Sequence, residues 1–347
     1  MRQFPRFRPL ILVFLALLAT ACSHPSLHSQ ESYVFGTRVE VLVWGEPEAK
    51  AHAAAAEVLR EFDRLHRTYH AWQPSEMTVL NNALAAGRPL EVTPEFAGFI
   101  REAQEAAAKG EYLFDPGIGR LVELWGFHDD TFKPQLPDAA KLAELVHAKP
   151  SIGSLKIDGL KVSGDGTPRS TFTALDFGGY LKGVALDRAA AIFKAHGIAN
   201  ALINIGGNVM ALGSKDGTPW RVGIQDPRQP TPMATLELRD GEAIGTSGDY
   251  QRFFELDGKR YCHLIDPRTG WPSTGTEAVT VLIPPGFGNG EAGMWSDVAS
   301  KPLFIAGADW RRLADKLGVT QVLRVDSAGK IEMTDAMRAR LKLELTP

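Results

Sequence analysis

The sequence predicts an α+β fold, a single mixed α/β domain, and three observations carry that expectation. Apolar residues recur with period 2 in some segments and at helical spacing in others, and the two kinds neither alternate strictly nor segregate. With 44% hydrophobic and 23% charged residues among 347, the composition is ordinary for a globular chain and supplies ample core. No repeat at a fixed period and no low-complexity linker divides the chain, although length alone allows one large domain or two small ones.

The first 22 residues read as an export signal. Three arginines precede an apolar run from Leu10 to Leu18, followed by Ala19, Thr20, Ala21 and Cys22. A charged start, a short apolar run and a small-residue cleavage site make a secretory signal. The run is shorter than the ~20 apolar residues a spanning helix needs. A cysteine directly after the cleavage site resembles a bacterial lipobox, with Ala19 where leucine is more typical. The expected division is a signal over residues 1–21, a polar tether over 22–32 from a lipidated Cys22, and a domain over 33–345. That domain works outside the cytoplasm, anchored to a bacterial membrane and facing the periplasm. The competing reading is an ordinary secretory signal with an incidental cysteine. If Cys22 is acylated, Cys262 is the remaining thiol and no intramolecular disulfide can form.

The body begins with Tyr33 to Trp44, where Val39, Val41 and Val43 alternate as in a half-buried strand. Lys50 to His66 carries Val58, Leu59, Phe62 and Leu65 at helical spacing. Thr93-Pro94 opens another helix, since proline in the first turn loses no hydrogen bond, and Phe96, Ile100 and Ala103 form its stripe. Pro137 to Ala148 reads as a short helix, and Ser154 to Val162 as a hairpin turning at Asp158-Gly159. Leu186 to His196 is helical and stops at Gly197. Strands follow at Ala201 to Ile205, Trp220 to Gln225, Thr235 to Leu238, Phe253 to Leu256 and Val279 to Ile283. Helices at Ala308 to Leu317 and Asp335 to Leu341 close the chain.

A net charge of −3 provides no bulk basic field for nucleic acid or anionic lipid, so any phosphate must be held locally. Two cysteines exclude a disulfide framework and a cysteine-based zinc site. GxxxxGK[ST] does not occur. The strongest local signal is Leu175-Asp176-Phe177-Gly178-Gly179-Tyr180-Leu181-Lys182-Gly183, running into a helix. Its glycines let a ligand approach the backbone, and Asp176 can cap or bind. Lys182 near a helix start is mildly unfavourable unless an anion satisfies both it and the free N–H groups. A lysine pointing into solvent explains the spacing equally well.

His263, beside the Asp266-Pro267-Arg268-Thr269-Gly270 turn, is a candidate general base, although a lone histidine is more often structural. Cys262 and His263 would point to opposite faces of a strand, so Cys262 reads as a small packed hydrophobe. His66 and His70 stand at i and i+4, a metal-clamping spacing without a third ligand. Asp297 is a hard-oxygen candidate for magnesium.

Taken in order, eight segments resemble the ApbE family of FAD:protein FMN transferases. They are Phe35-Gly36-Thr37; Trp72-Gln73-Pro74 with Ser75-Glu76 and Asn81; Phe114 to Gly119 with Leu124 to Phe127; the Leu175 to Gly183 segment with Asp187-Arg188-Ala189; Asn204 to Asn208; Thr246 to Asp249; His263 to Gly270; and Asp297 before Leu303-Phe304. The resemblance implies a single domain with an FAD cleft. It also implies Mg²⁺-assisted transfer of FMN from FAD to a threonine hydroxyl of a membrane electron-transfer protein, with release of AMP. By resemblance, Phe35 and Trp72 contact the flavin, and Leu113, Phe114, Asp115, Asp176, Lys182 and Ile265 hold FAD. Gly179, through its carbonyl, and Asp297 stand at metal-ligand positions, and His263 at that of the group activating the acceptor. Charge neutralisation at the diphosphate and a base for the incoming hydroxyl are what such chemistry needs.

One departure bears on mechanism. Lys301 stands where the family has a metal-binding threonine, so an oxygen ligand is replaced by a fixed positive charge. Either Lys301 occupies the metal position as a tethered ammonium paired with Asp297, or it points aside while Mg²⁺ keeps Asp297, Gly179 and phosphate oxygens, with Ser300 as an optional addition. A divalent ion and an ammonium ~4 Å apart repel by about 8 kcal/mol at an effective dielectric of about 20, so the first arrangement implies weakened or absent metal dependence. The same cleft would also serve an FAD pyrophosphatase giving FMN and AMP, or a non-catalytic FAD-binding lipoprotein.

Overall fold

The computed structural model describes residues 26–344 except 130 and 290; the expected signal and Cys22 lie outside the described residues. At its centre is an antiparallel eight-stranded sheet. Its strands are β1 (Leu27–Val34), β2 (Thr37–Trp44), β3 (Ala201–Ile205), β4 (Asn208–Leu212), β5 (Ala243–Gly248), β6 (Thr276–Ile283), β7 (Val322–Asp326) and β8 (Ile331–Met333). Their spatial order follows the chain. The helices that shape the site are α1 (Glu48–Thr68), α2 (Pro94–Lys109), α3 (Leu181–Ala195) and α4 (Ala292–Ala306).

Alternation in β2 sends Val39, Val41 and Val43 into one core with Val58 and Phe62 of α1, Leu186 and Phe193 of α3, and Val298 and Phe304 of α4. The opposite face of the sheet is covered too. Val209, Ile244, Leu282 and Leu323 meet Trp220, Leu236 and Met337 there, mostly from a small sheet of Trp220–Gln225, Pro232–Leu238 and Leu341–Leu343. Strand β6 lies between these layers with all of its residues buried, which explains its lack of polar alternation. A third cluster around Trp125, Phe127, Tyr261 and Ile265 contributes to the wall of the cleft.

Helix α2 starts as expected, with Pro94 in the first turn and Thr93 Oγ1 accepting from Phe96 N at 3.3 Å. Several boundaries differ. Tyr33 to Trp44 is not one strand but a hairpin, turning at Phe35 (φ 57°) and Gly36 (φ 67°). Paired positive φ values are what a two-residue turn between twisted strands requires. From Leu27 onward the expected tether is strand β1, paired along its length with β2. Helix α3 begins at Leu181 rather than Leu186, and the closing segment is a short turn of helix, Asp335–Arg338, followed by a strand. Among the described residues, no helix is long and apolar enough to cross a membrane.

Candidate active site

A cleft of about 400 Å³ opens where the β1–β2 turn, the chain before α3, the end of β5 and the loop after Tyr261 converge. Phe35, Trp72, Leu113, Phe114, Asp115, Asp176, Gly179, Lys182, His263, Ile265 and Lys301 all line it. Every site residue expected by resemblance within the described residues is therefore at the wall, except Asp297. That residue is 1% exposed and lies beneath the wall, against Lys301.

At the apolar end, Phe35 rests its ring on Phe62 and His66, with centroids 6.2 and 5.6 Å away. Trp72 lies 5.5 Å from the His128 ring on a turn held by His70, whose Nδ1 accepts from Trp72 N and Gln73 N, both at 3.1 Å. With Nδ1 accepting, a neutral His70 ring carries its proton on Nε2, and among the described residues no third histidine, cysteine or carboxylate side chain completes a metal site with the i, i+4 pair.

Leu113 and Phe114 follow two residues held in the left-handed region, Glu111 (φ 56°) and Tyr112 (φ 57°), a conformation that costs energy without a glycine. Arg312 at 2.7 and 2.8 Å and Lys316 at 2.9 Å tie down the Glu111 carboxylate. Asp115 Oδ1 accepts from Gly117 N and Ile152 N, both at 2.8 Å. Burial pushes this carboxyl up to about 6, against the pull of those donors. A Cβ on Gly117 would come 2.1 Å from Ile152 N, so the carboxylate fastens a loop with no slack.

Asn81 pairs with Leu175 as a strand neighbour would, donating to its carbonyl at 2.9 Å and accepting from its N–H at 2.7 Å. Asp176 then turns the chain by accepting from Gly178 N at 2.8 Å; burial raises its pKa. Lys182 occupies the first turn of α3, whose N-cap Tyr180 offers no side-chain acceptor. Instead Asp297 Oδ2 accepts from Gly183 N at 3.1 Å.

The Lys301 ammonium donates to Asp297 Oδ1 at 2.6 Å and to the Asp297 carbonyl at 2.7 Å. Burial opposes ionisation of Asp297, yet Lys301 and Lys182 together hold its pKa below the usual range. A Cβ on Gly179 would come 2.5 Å from Lys301 Cε, so the lysine stem lies against that residue. The lysine side chain thus runs between the two residues expected to bind Mg²⁺, its stem on Gly179 and its ammonium on Asp297. The donor set as it stands does not fit a divalent cation.

His263 N and Nδ1 both approach the Arg252 carbonyl, at 3.0 and 3.1 Å. A carbonyl only accepts, so Nδ1 carries the proton and Nε2 the lone pair. Burial, then the Arg252, Lys182 and Lys301 charges, push the imidazole down to about 3, against the Arg252 carbonyl bond that favours its charged form. Cys262 is the inert neighbour expected: buried, bonded to the Ser273 carbonyl at 3.5 Å, its thiol pushed up by burial to about 12.

Arg252 escaped sequence reasoning, and Ser247, Ser300 and Asn208 contribute in ways it did not assign. Arg252 lines the cleft and donates to the Phe127 and Asp129 carbonyls at 2.8 and 3.1 Å. Ser247 and Ser300 join β5 to α4 through a 2.7 Å hydroxyl contact. The Asn208 amide lies near enough to Asp297 to favour its charge without reaching hydrogen-bonding geometry, so its buried Nδ2 has no partner. Arg252 follows the Thr246–Asp249 segment by three residues, and Asn208 ends the Asn204–Asn208 segment; those positions were the available signals.

The ApbE family profile matches residues 35–323. The chain is 43% identical over 317 residues to the FAD:protein FMN transferase of Rhodobacter capsulatus, covering 90% of this chain and 58% of that relative's length. It is 34% identical over 255 residues to a Klebsiella pneumoniae protein of the same name, covering 72% of each. The crystal structure of the ApbE protein of Thermotoga maritima superposes with a TM-score of 0.81 at 28% identity, covering 91% of this chain and 99% of that one. The flavin transferase ApbE from Vibrio cholerae gives a TM-score of 0.77 at 25% identity, with the same coverage. With the profile spanning most of the chain and the cleft built from the matching segments, the chain belongs to the ApbE family.

Proposed function

We propose that this protein transfers FMN from FAD to a threonine hydroxyl of an acceptor protein and releases AMP. The observation that carries this reading is one cleft whose wall carries the aromatic rings of Phe35 and Trp72 together with Lys182, Arg252 and Lys301, whose charges act on a neutral His263. The isoalloxazine suits the aromatic rings and the diphosphate the cations. Leu113, Phe114, Asp176 and Ile265 would complete the FAD contacts. The threonine oxygen attacks the flavin-side phosphorus. The bond from that phosphorus to the bridging oxygen breaks, and AMP leaves with the oxygen and its electron pair. The hydroxyl proton passes to His263 Nε2. Lysine and arginine charge compensates the anion at the diphosphate.

Membrane attachment is part of the proposal. Cys22 after the short apolar run supports a lipid anchor, periplasm-facing, with the acceptor a threonine-bearing subunit of a membrane electron-transfer system. Fractionation of wild type and Cys22→Ser tests it: the variant should leave the membrane fraction, and its retention there would defeat the anchor.

For the activity, the purified protein is incubated with FAD and a threonine-bearing acceptor, and AMP, free FMN and acceptor-bound flavin are quantified. Bound flavin rising with AMP supports transfer. AMP matched by free FMN would indicate hydrolysis instead, and FAD bound without AMP a storage protein.

A further inference from the structure

We propose that the Lys301 ammonium is the built-in cation of the diphosphate site, so that this protein transfers flavin without a divalent metal. The inference rests on the flavin-transfer reading and concerns which positive charge faces the substrate.

Four features of the chain carry it. Lys301 lies one turn after Asp297 on α4, and its Nζ reaches both Asp297 Oδ1 and the Asp297 carbonyl. Its stem fills the space over Gly179, so the side chain is wedged between α4 and the loop before α3. Both Asp297 oxygens are engaged, Oδ1 by the ammonium and Oδ2 by Gly183 N. A divalent ion would therefore have to displace the lysine or bear its repulsion. Finally, Lys301 belongs to the cleft wall. An ammonium has three N–H donors, and the two given to Asp297 leave one for a phosphate oxygen.

This arrangement does a cation's work by charge and hydrogen bonding alone. As the threonine oxygen bonds to the flavin-side phosphorus and AMP departs, negative charge grows on the bridging oxygen. Lys301 stabilises that charge while remaining protonated, so it neither supplies nor takes the proton exchanged between threonine and base. Asp297 holds the ammonium in place and is a positioning residue. Lys182, next to the Gly183 whose N–H donates to the same carboxylate, adds a second positive charge.

The test compares wild type, Lys301→Thr and Lys301→Met in EDTA and in Mg²⁺, reading acceptor-bound flavin and AMP. Binding of Mn²⁺ to each protein, alone and with FAD, is followed by calorimetry. Wild type should work equally in both lanes and bind no stoichiometric Mn²⁺. Lys301→Met, which keeps the stem and removes the charge, should lose at least about 100-fold in either lane, as when one transition-state donor is removed. Lys301→Thr, with an oxygen in place of the ammonium, should gain Mn²⁺ binding and a requirement for Mg²⁺. Wild-type transfer abolished by EDTA and restored by Mg²⁺, stoichiometric Mn²⁺ binding by wild type, or full activity of Lys301→Met would each overturn the proposal. If wild type transfers nothing in either lane, the flavin-transfer reading fails. The Mn²⁺ titration still reports on Lys301, because it needs no turnover.

Discussion

Asp187 and Asp297 cap each other's helices. Asp187, on α3, accepts from Gly293 N at 2.9 Å and Met294 N at 2.7 Å, at the start of α4. Asp297, on α4, accepts from Gly183 N at 3.1 Å, at the start of α3. Each helix leaves its first N–H groups without an intrahelical partner and presents a positive end. Neither N-cap residue, Tyr180 or Glu291, makes a side-chain cap. The two carboxylates close both ends reciprocally, and one of them also holds Lys301. The site cation is thus aligned by the helix pair itself.

Loss of the outer member of this pair should therefore reach the site. Asp187→Ala strips two backbone donors of their acceptor and should cost about 1–2 kcal/mol, read by urea denaturation. Flavin transfer should fall as well, although Asp187 is not among the cleft-lining residues. Unchanged transfer by a destabilised variant would mean that the cap is structural alone.

The helices can share carboxylates because glycines meet where they cross. A Cβ on Gly183 would come 2.5 Å from the Gly293 carbonyl oxygen and 2.8 Å from Asp297 Cβ. Backbone and a pinned side chain cannot yield as a flexible tip would, so Gly183→Ala should overpack the crossing by about 1–3 kcal/mol. It should also lower transfer by drawing Asp297 and Lys301 from position. A Tm equal to wild type would count against the close crossing.

The contrast between α3 and α4 explains what pattern reading reached. The glycines and Lys182 of the Leu175–Gly183 segment stood out because each conflicts with ordinary helix composition. Helix α4 gave no amphipathic signal: nearly all of it is buried, from Ala292 through Ile305, with Pro302 inside. Its chemistry was visible only through the resemblance, as Asp297 and the change at Lys301. The turn at Phe35 was hidden because a phenylalanine rarely adopts positive φ, and the apolar alternation ran through it. Arg252 was missed because its importance lies in distant partners, the Phe127 and Asp129 carbonyls, which no local spacing announces.

Asp115 separates a structural carboxylate from a substrate-binding one. If its main task is to fasten Gly117 and Ile152, Asp115→Asn keeps an Oδ1 acceptor and should leave FAD affinity and stability near wild type. Asp115→Ala orphans two buried N–H groups and should cost about 2 kcal/mol or more. Calorimetric FAD titration with denaturant curves checks both. Weak FAD binding by a fully stable Asp115→Asn would assign the carboxylate to the ligand.

His263 makes the prediction about pH. Its folded-state pKa of about 3 lies far below the ordinary 6.5. As pH falls below 6.5 the unfolded chain takes up a proton that folded His263 refuses, and stability from this site declines towards pH 3. The base is neutral throughout the physiological range. The acid limb of kcat/KM should therefore lie well below that of a free imidazole, since this ratio reports the free enzyme. Removing a nearby positive charge favours protonation, so Arg252→Gln should raise the His263 pKa and move the acid limb to higher pH. The limb of kcat, which reports the FAD-loaded enzyme, should also lie above that of kcat/KM, because the bound diphosphate offsets Lys182 and Lys301. Profiles measured for both proteins with a saturating acceptor decide the matter. An acid limb at 6.5 that ignores Arg252→Gln would remove His263 as the base.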